Sequence, residues 1–369
     1  MLRLLTRAVF ALLPTCALLV AAEMVVRVTG AGDGCPSGVL SALWVCDPIM
    51  HFRMDPDLVI NGQKLNSWGF RGSEVNRKRA GTYRVAALGD SCTFGFINAG
   101  AETGYFVAEP YPQRLNRIIT RRHGAGKVEV LNLGVCGYNS YHGIMLLRTK
   151  GRQLQADLYT VQYVWNDLML SARTPPHAFQ EPATPLARGV EDVLLMTKLY
   201  PFARRLGMQL RSLSQRDANF NVPATWTPNV PVQEYRHNLR RIVEVAHRYG
   251  AQVWFLTSSN AFITNKYKGQ YDEFAKTAGL QLGVLGISGI ASFEQLVTIQ
   301  AAYNEATRST AAELGVTLID MAATYQTHGS EDLFRSVDAI HPNQRGHTLE
   351  AEVLYSYLVH SGVIGRRPM

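Results

Sequence analysis

Three residues whose types suit acyl-transfer chemistry stand at two distant points of the 369-residue chain. Ser91 follows Gly-Asp in the run VAALGDSCTFGF, residues 85–96. Asp338 and His341 stand three residues apart in SVDAIHPNQRGH, residues 336–347. A histidine takes the proton of a serine hydroxyl as the oxygen attacks, and a carboxylate holds the imidazole in the tautomer that this step needs. The three residue types therefore predict a nucleophile, a general base and an orienting acid.

Two further segments carry groups that can bind a developing negative charge. NLGVCGYNS (132–140) contains Gly137, whose backbone N–H is unobstructed by a side chain. VWNDL (164–168) contains Asn166, whose side-chain amide is a hydrogen-bond donor. Backbone N–H groups and an asparagine amide together make an oxyanion hole for a tetrahedral intermediate. Gly137 and Asn166 are therefore the candidate donors.

The elements that must position these residues alternate between strand and helix from residue 83 onward. Short apolar runs and longer amphipathic segments in this order are typical of right-handed βαβ units and a parallel sheet. Ligands of such open α/β sheets bind beyond the carboxyl ends of the strands. The predicted strands are 83–88, 127–133, 157–164, 251–259 and 316–321, and the predicted helices are 111–122, 141–154, 232–250, 296–315 and 343–362.

The candidate residues follow these strands or precede the last helix, which favours one shared site. Each segment alone has an ordinary interpretation, because Gly, Asp, Ser and Asn are common in turns and helix caps. Ser91 alone would indicate a turn residue or a cap, and Asp338 alone would indicate a cap of the last helix. Four such segments in this order converge on one crevice, and they make Ser91 the predicted nucleophile.

The N-terminal segment is predicted to associate with a membrane. Arg3 and Arg7 precede an apolar run, residues 8–26, that only Glu23 interrupts. As a helix this run is roughly 30 Å long, about the hydrocarbon thickness of a bilayer. The arginines favour an orientation with the body of the protein outside the cytoplasm. We predict an uncleaved single-pass anchor, and the alternative is a signal peptide cleaved after VAA at 20–22.

These patterns divide the chain into three predicted regions. Residues 1–28 form the membrane anchor or signal segment, residues 29–80 an extracytoplasmic lead-in, and residues 81–363 the α/β domain. Within that domain, residues 171–230 interrupt the alternation with several prolines around one helical stretch. The segment is longer than an ordinary connection, so we predict a lid-like insertion, with a peripheral helix packed on the core as the alternative.

The net charge and the Cys and His spacings indicate which classes of partner, metal site and disulfide the sequence favours. A net charge of +8 suits an anionic membrane surface, an acidic polymer or nucleic acid, but the sequence has no zinc-finger spacing and no RNA-binding aromatic motif. We therefore predict no nucleic-acid partner. No Cys/His spacing fits a metal, so neither metal nor cofactor is predicted. Cys35 and Cys46 suit a disulfide in an oxidising compartment, whereas Cys92 and Cys136 are predicted to be buried thiols.

With all four segments present in order, residues 83–361 resemble the SGNH (GDSL-type) hydrolase family. The resemblance implies a three-layer αβα sandwich of flavodoxin-like type with a five-stranded parallel sheet. It also implies ester cleavage by a Ser-His-Asp triad. On this resemblance Ser91 in GDS is the nucleophile, and Asp338 and His341 in DAIHP match the family's terminal D-x-x-H-P.

The resemblance also extends to the oxyanion hole and to the segments before the domain. It adds the N–H of Ser91 to Gly137 and Asn166 as the third donor. Val164 stands where the family's third block, G-x-N-D, has glycine, although Asn166 is kept. The lead-in NSWGFRG (66–72) and the N-terminal anchor resemble a bacterial membrane-anchored subgroup. That subgroup implies a link to acyl groups on cell-surface polysaccharides.

These inferences predict an exported serine ester hydrolase of the deacetylase or esterase type, which forms an acyl-serine intermediate. Its substrate is an acylated small molecule or glycan, and its predicted location is the cell inner membrane with the catalytic domain on the periplasmic side. Water as the second acceptor gives an esterase, whereas a sugar hydroxyl gives an O-acyltransferase. An alternative from another class is a catalytically silent, membrane-tethered glycan-binding scaffold.

Overall fold

The computed structural model describes most of the chain, which divides into two compact units. One unit comprises residues 1–53 and 181–219, and the other comprises residues 54–180 and 220–369. The described stretches are residues 2–31, 43–47, 49–97, 106–168, 180–214, 228–260, 293–329, 332–335 and 338–365.

The secondary structure follows the alternation that the sequence predicts. In the described residues the strands are β1 (Trp44–Asp47), β2 (His51–Met54), β3 (Val59–Ile60), β4 (Gln63–Lys64), β5 (Tyr83–Gly89), β6 (Val128–Gly134), β7 (Leu158–Gln162), β8 (Gln252–Leu256), β9 (Thr317–Ile319), β10 (Phe334–Arg335) and β11 (Asp338–Pro342). The helices are α1 (Leu2–Thr29), α2 (Ser91–Phe94), α3 (Tyr111–His123), α4 (Ser140–Leu154), α5 (Trp165–Leu168), α6 (Pro185–Leu194), α7 (Leu199–Ser214), α8 (Val232–Arg248), α9 (Phe293–Leu314), α10 (Met321–Thr327) and α11 (Gln344–His360).

The second unit is built on a five-stranded parallel sheet in the order β6-β5-β7-β8-β9. Its central strands are buried, as expected of a parallel sheet that helices cover; Val85 and Leu88 are at most 1% exposed. Helix α3 packs with α11, and α8 packs with both α4 and α9. The predicted α/β class and the five-stranded parallel sheet are confirmed.

The segment that carries the candidate histidine differs from the prediction. None of the five predicted strands covers Asp338–Pro342, which form β11 and pair antiparallel with β10 in a two-stranded sheet. Helix α11 begins at Gln344, one residue after the predicted start at 343. Asn343 is the N-cap of α11, because its side-chain oxygen accepts hydrogen bonds from two backbone N–H groups that the helix leaves unpaired.

The first unit contains α1, α6 and α7 together with the short strand β1. Glu23 on α1 accepts hydrogen bonds from the backbone N–H groups of Lys198 (2.9 Å) and Leu199 (2.7 Å), where α7 begins. A carboxylate at a helix N-terminus is favourable, so this contact fixes α7 against α1. Cys46 in β1 is disulfide-bonded. Cys35, which the sequence predicts as its partner, lies outside the described residues.

Helix α1 covers the segment predicted to be a membrane anchor and is 28 residues long. Across the stretches that the structure describes, no helix combines the length and apolar character that crossing a bilayer requires. The anchor, the three domain boundaries and the lid remain predictions. Of the predicted lid, residues 171–230, the described part contains α6 and α7.

Candidate active site

Strand β5 ends in a tight turn that presents Ser91. Asp90 is the N-cap of α2, and its carboxylate accepts a hydrogen bond from the Cys92 N–H at 2.8 Å. The capping residue is therefore Asp90, and Ser91 is the first residue of the helix. Gly95 ends this single turn in the left-handed conformation, with φ of 85°. The structure thus assigns the capping role to Asp90 and leaves the Ser91 hydroxyl to another partner.

Two glycines allow this turn to pack directly on the ends of the strands. A Cβ atom on Gly89 would lie 2.7 Å from the Thr93 Cβ and 3.0 Å from the Gln162 carbonyl oxygen. A Cβ atom on Gly134, at the end of β6, would lie 2.9 Å from the Phe94 Cα. Protein interiors are close-packed and do not absorb such overlaps cheaply. Packing beneath Ser91 therefore explains the glycine of Gly-Asp-Ser.

The partner of the Ser91 hydroxyl is His341 on β11. Ser91 Oγ and His341 Nε2 lie 2.8 Å apart, within hydrogen-bonding distance for a nucleophile and its base. Asp338 begins the same strand, three residues earlier, and the placement of its side chain lies outside the described part of the structure. Because Asn343 caps α11, the interpretation of Asp338 as the helix cap is wrong.

The two predicted oxyanion donors lie on segments that a hydrogen bond joins. Gly137 has φ of 89°, a conformation that glycine adopts readily. Asn166 lies in α5 just beyond β7, and its Nδ2 donates to the carbonyl oxygen of Tyr138 at 2.8 Å. This bond holds Asn166 against the loop that carries Gly137. Since β6, β5 and β7 are neighbours, both residues and Ser91 follow adjacent carboxyl ends, and they remain candidates for the oxyanion hole.

A buried cluster that the sequence did not indicate joins the same two segments. The Asp167 carboxylate accepts hydrogen bonds from the Ser140 N–H at 3.1 Å and from the Ser140 hydroxyl. Asn238 Nδ2 donates to that hydroxyl at 2.9 Å. Burial raises the pKa of Asp167 to about 8, although the bonds from Ser140 act in the opposite direction. The only signal was an Asp directly after Asn166, which by itself suggests a cap.

Other buried ionisable groups surround the strand ends. Burial raises the pKa of Asp90 to about 6, while the nearby His341 charge lowers it. Burial also raises the pKa of Glu350 on α11 to about 8, and Glu350 accepts a hydrogen bond from Gln162 Nε2 at 2.7 Å. Burial lowers the pKa of His347 to about 3. Sequence reasoning missed Glu350 and His347 as site neighbours, because buried polar positions follow no periodic pattern.

The cysteines and aromatics next to the motifs belong to the core. Cys92 and Cys136 are buried thiols outside any disulfide, as predicted. Phe94 and Trp165 are at most 1% exposed. Among the described residues, no group of three His, Cys, Asp or Glu side chains is arranged to hold a metal ion. The contact between Ser91 and His341 is one in which a serine hydroxyl can pass its proton to an imidazole.

Comparison with known proteins identifies the family. The model of the GDSL-like lipase/acylhydrolase family matches residues 87–349, a stretch that contains all five candidate site residues. The chain belongs to this family of hydrolases, and the resemblance drawn from the sequence motifs is confirmed. No curated protein matches the chain.

Several solved structures are similar to the chain at low identity. A lipase/acylhydrolase from Enterococcus faecalis is 14% identical, with a TM-score of 0.46 over 78% of this chain and 100% of that one. A catalytic mutant of the acetylxylan esterase Axe2 from Geobacillus stearothermophilus is 13% identical, with a TM-score of 0.43 over 79% and 100%. A GDSL-like lipase from Bacteroides thetaiotaomicron is 11% identical, with a TM-score of 0.39 over 75% and 88%.

Proposed function

We propose that this protein is a serine ester hydrolase in which Ser91 is the nucleophile, His341 the general base and Asp338 the residue that orients the base. The observation that carries the proposal is the distance of 2.8 Å between Ser91 Oγ and His341 Nε2. The two residues are 250 positions apart in the chain, so neither helix capping nor a local turn accounts for the contact. Membership of the acylhydrolase family supports the same reaction class.

In the proposed mechanism the Ser91 oxygen attacks the carbonyl carbon of the ester, and His341 Nε2 accepts the hydroxyl proton. The N–H groups of Ser91 and Gly137 and the amide of Asn166 bind the oxyanion of the tetrahedral intermediate. When the intermediate collapses, the protonated His341 returns its proton to the departing alcohol, and an acyl-serine remains. A water molecule deprotonated by His341 then attacks the acyl-serine and releases the acid and the free Ser91 hydroxyl.

The proposed location is the outer face of the cell inner membrane, with α1 as an uncleaved anchor. Support comes from Arg3 and Arg7 ahead of the apolar run. Support also comes from the exposure of apolar side chains on α1, where Leu18 is 71% and Val28 is 82% exposed. Apolar side chains left in water over several helical turns favour a lipid environment. The proposed substrates are acylated cell-surface glycans, by the family resemblance alone.

The test is hydrolysis of 4-nitrophenyl acetate by the full-length chain in detergent micelles. We expect Ser91→Ala to lower kcat/KM by at least about 10³-fold, and Ser361→Ala, at an exposed serine that ends α11, to leave it unchanged. A fluorophosphonate should label the wild-type chain and fail to label Ser91→Ala. Equal inactivity of the wild-type and Ser91→Ala chains, with no labelling, would favour the silent scaffold.

The same assay separates hydrolysis from transfer. Addition of a sugar alcohol as acceptor leaves the rate of acid release unchanged if water is the acceptor. An O-acyltransferase would instead release less acid and form an acylated sugar, which mass spectrometry detects. We expect release of acid, since water needs no second binding site.

A further inference from the structure

Beside the candidate base lies an aromatic side chain that the mechanism does not use. The rings of Phe96 and His341 meet edge to face, with centroids 5.1 Å apart and an interplanar angle of 72°. Phe106 lies behind Phe96, with ring centroids 5.6 Å apart. Both phenylalanines are half-buried, in contrast to Phe94, which is completely buried beneath them and lies 5.5 Å from Phe106. The three rings form an aromatic wall that begins at His341 and remains partly open to solvent.

The aromatic wall (Phe94, Phe96 and Phe106) is held in place by backbone hydrogen bonds. Phe96 and Phe106 form an antiparallel β-bridge, and the Val107 N–H donates to the Gly95 carbonyl oxygen at 2.9 Å. The guanidinium of Arg71 donates to the carbonyl oxygens of Phe94 and Val107, each at 3.1 Å. One buried side chain therefore links both sides of the wall, and the planar fork of arginine suits such a pair of acceptors.

The lead-in motif NSWGFRG positions that arginine. The Asn66 side-chain oxygen accepts hydrogen bonds from the N–H groups of Trp68 and Phe70, each at 3.0 Å, and so forms the turn. Gly69 has φ of 83°, and a Cβ atom there would lie 2.5 Å from the Met54 carbonyl oxygen. The turn therefore depends on the Asn66 side chain and on a glycine at position 69, and it directs Arg71 to the carbonyl oxygens at the base of the aromatic wall.

The chemistry of ester cleavage locates the wall relative to the substrate. The nitrogen that takes the Ser91 proton must later give a proton to the leaving alcohol, so the alcohol departs beside His341. A half-exposed ring that contacts the His341 ring is within reach of that alcohol. We propose that Phe96, supported by Phe106, forms the subsite for the alcohol part of the ester and selects alcohols that carry a ring. This inference rests on the proposed function.

The shape and polarity of the wall favour a ring over a small alcohol. An aromatic side chain offers a rigid apolar surface with little conformational freedom to lose on binding. The C–H face of a sugar ring or the face of an aryl group matches such a surface, whereas an ethyl group covers only a small part of it. Of the two ring classes, an acylated pyranose fits the proposed glycan substrate and is the one to which we commit.

The experiment compares two acetate esters of primary alcohols, methyl 6-O-acetyl-glucopyranoside and ethyl acetate, with the full-length chain. The ratio of their kcat/KM values measures preference for the ring, and the ratio for ethyl acetate and ethyl butyrate measures preference for the acyl group. We expect the wild-type chain to favour the sugar ester by about tenfold or more, since stacking and burial of one ring amount to that factor.

Variants of Phe96 show whether this residue binds the alcohol or only supports the His341 ring. Phe96→Ala and Phe96→Leu should lower the ring preference by about tenfold and leave the acyl preference unchanged, and Phe96→Tyr should retain both. Tyr249→Leu is the matched control, because Tyr249 is 40% exposed and precedes the amino end of β8, whereas the candidate site follows the carboxyl ends of the strands. It should change neither ratio. Alanine and leucine differ in size, so if one of these two variants misfolds, the other still tests whether Phe96 binds the alcohol.

The outcomes distinguish this inference from the proposed function. A wild-type chain with no ring preference, or Phe96 variants that lose activity equally on every ester, would overturn the alcohol subsite and leave the serine hydrolase intact. A chain that fluorophosphonate does not label and that cleaves none of these esters would overturn the proposed function, and the subsite with it. A preference for benzyl acetate, the ester of a primary alcohol that carries an aryl ring, over the sugar ester would overturn the commitment to a pyranose.

Discussion

The proposed nucleophile, Ser91, and its proposed base, His341, lie on two regions that are built differently. The nucleophile turn, Gly89–Gly95, continues β5, the second of the five strands in the sheet, and β6 and β7 flank β5 on both sides. The histidine hairpin, β10 with β11, has only two strands, and its register shifts between Phe334 and Arg335. The nucleophile turn therefore belongs to the five-stranded sheet, whereas the histidine hairpin is a separate two-stranded sheet.

The two regions are also held in place by different kinds of contact. The nucleophile turn is fixed by close packing against Gly89 and Gly134. The histidine hairpin depends on hydrogen bonds from Asn343, whose Nδ2 donates to the carbonyl oxygens of Asp332 (2.8 Å) and Phe334 (3.1 Å). The comparison teaches that Ser91 is fixed by the sheet, and that the distance between Ser91 and His341 is set by how the hairpin docks.

Glycine substitutions give the largest expected difference between the regions. Gly134→Ala places a Cβ atom 2.8 Å from a backbone carbon of Thr93 in a sheet that cannot move, and we expect it to cost more than about 3 kcal/mol or to prevent folding. In Gly346→Ala the added Cβ atom would lie 2.6 Å from the Leu333 carbonyl oxygen, but the hairpin can shift to relieve this contact. We therefore expect the free energy of unfolding to fall by only about 1–3 kcal/mol. Because the shift moves His341, we expect kcat to fall more than this loss of stability alone would explain.

Urea unfolding and ester hydrolysis of both variants measure this difference. Gly189→Ala in α6 is the control, because nothing lies within 4 Å of the added Cβ atom and alanine favours a helix. A Gly346→Ala chain that is less stable than Gly134→Ala would reverse the comparison.

Glu350 joins α11, the helix that follows the histidine hairpin, to β7 beside the nucleophile turn, and its replacement should change the dependence of stability on pH. Glu350 on α11 accepts a hydrogen bond from Gln162 on β7, and its pKa in the folded chain, about 8, lies above its ordinary value of 4.5. The folded state therefore holds a proton that the unfolded state releases, and stability falls as pH rises through this interval. Glu350→Gln keeps an acceptor for Gln162 and removes the titration.

We expect Glu350→Gln to gain stability relative to the wild-type chain by up to roughly 1.4 kcal/mol for each pH unit between about 5 and 8. Thermal and urea unfolding at pH 5, 6.5 and 8 measure the gain. Asp90 and Asp167 also have raised pKa values, so the variant keeps part of the slope. A constant difference in stability across this range would contradict the prediction.

Asn343 gives the smallest effect on stability and the sharpest test of hairpin docking. Asn343→Asp keeps the side-chain oxygen that caps α11 but loses the donors to Asp332 and Phe334. We expect it to cost about 1 kcal/mol or less while kcat falls by about tenfold, because His341 is no longer held at its distance from Ser91. Serine is also a good N-cap residue but has no amide donors, so Asn343→Ser should give the same small loss of stability and the same fall in kcat. A loss of stability without a loss of kcat would show that the hairpin docks without Asn343.

The sequence predicted one of these regions better than the other. The apolar run before Gly-Asp-Ser is long and regular, so β5 and Ser91 could be predicted from pattern and motif. The strand that carries His341 could not be predicted, because it has only five residues and pairs with a strand of two residues. The buried contacts of Asp167 and Glu350 could not be predicted either, since their partners Ser140 and Gln162 are remote in sequence.

The sequence by itself determined the residue types of the proposed triad, the order of strands and helices, and the family. These follow from local propensity, periodicity and short motifs, which depend on neighbours along the chain. Only the tertiary structure decided that Ser91 and His341 meet across 250 positions, that Phe96 stands beside the base, and that burial raises the pKa of Asp167 and Glu350. These distances and environments arise from packing between elements, and packing leaves no local pattern in the chain.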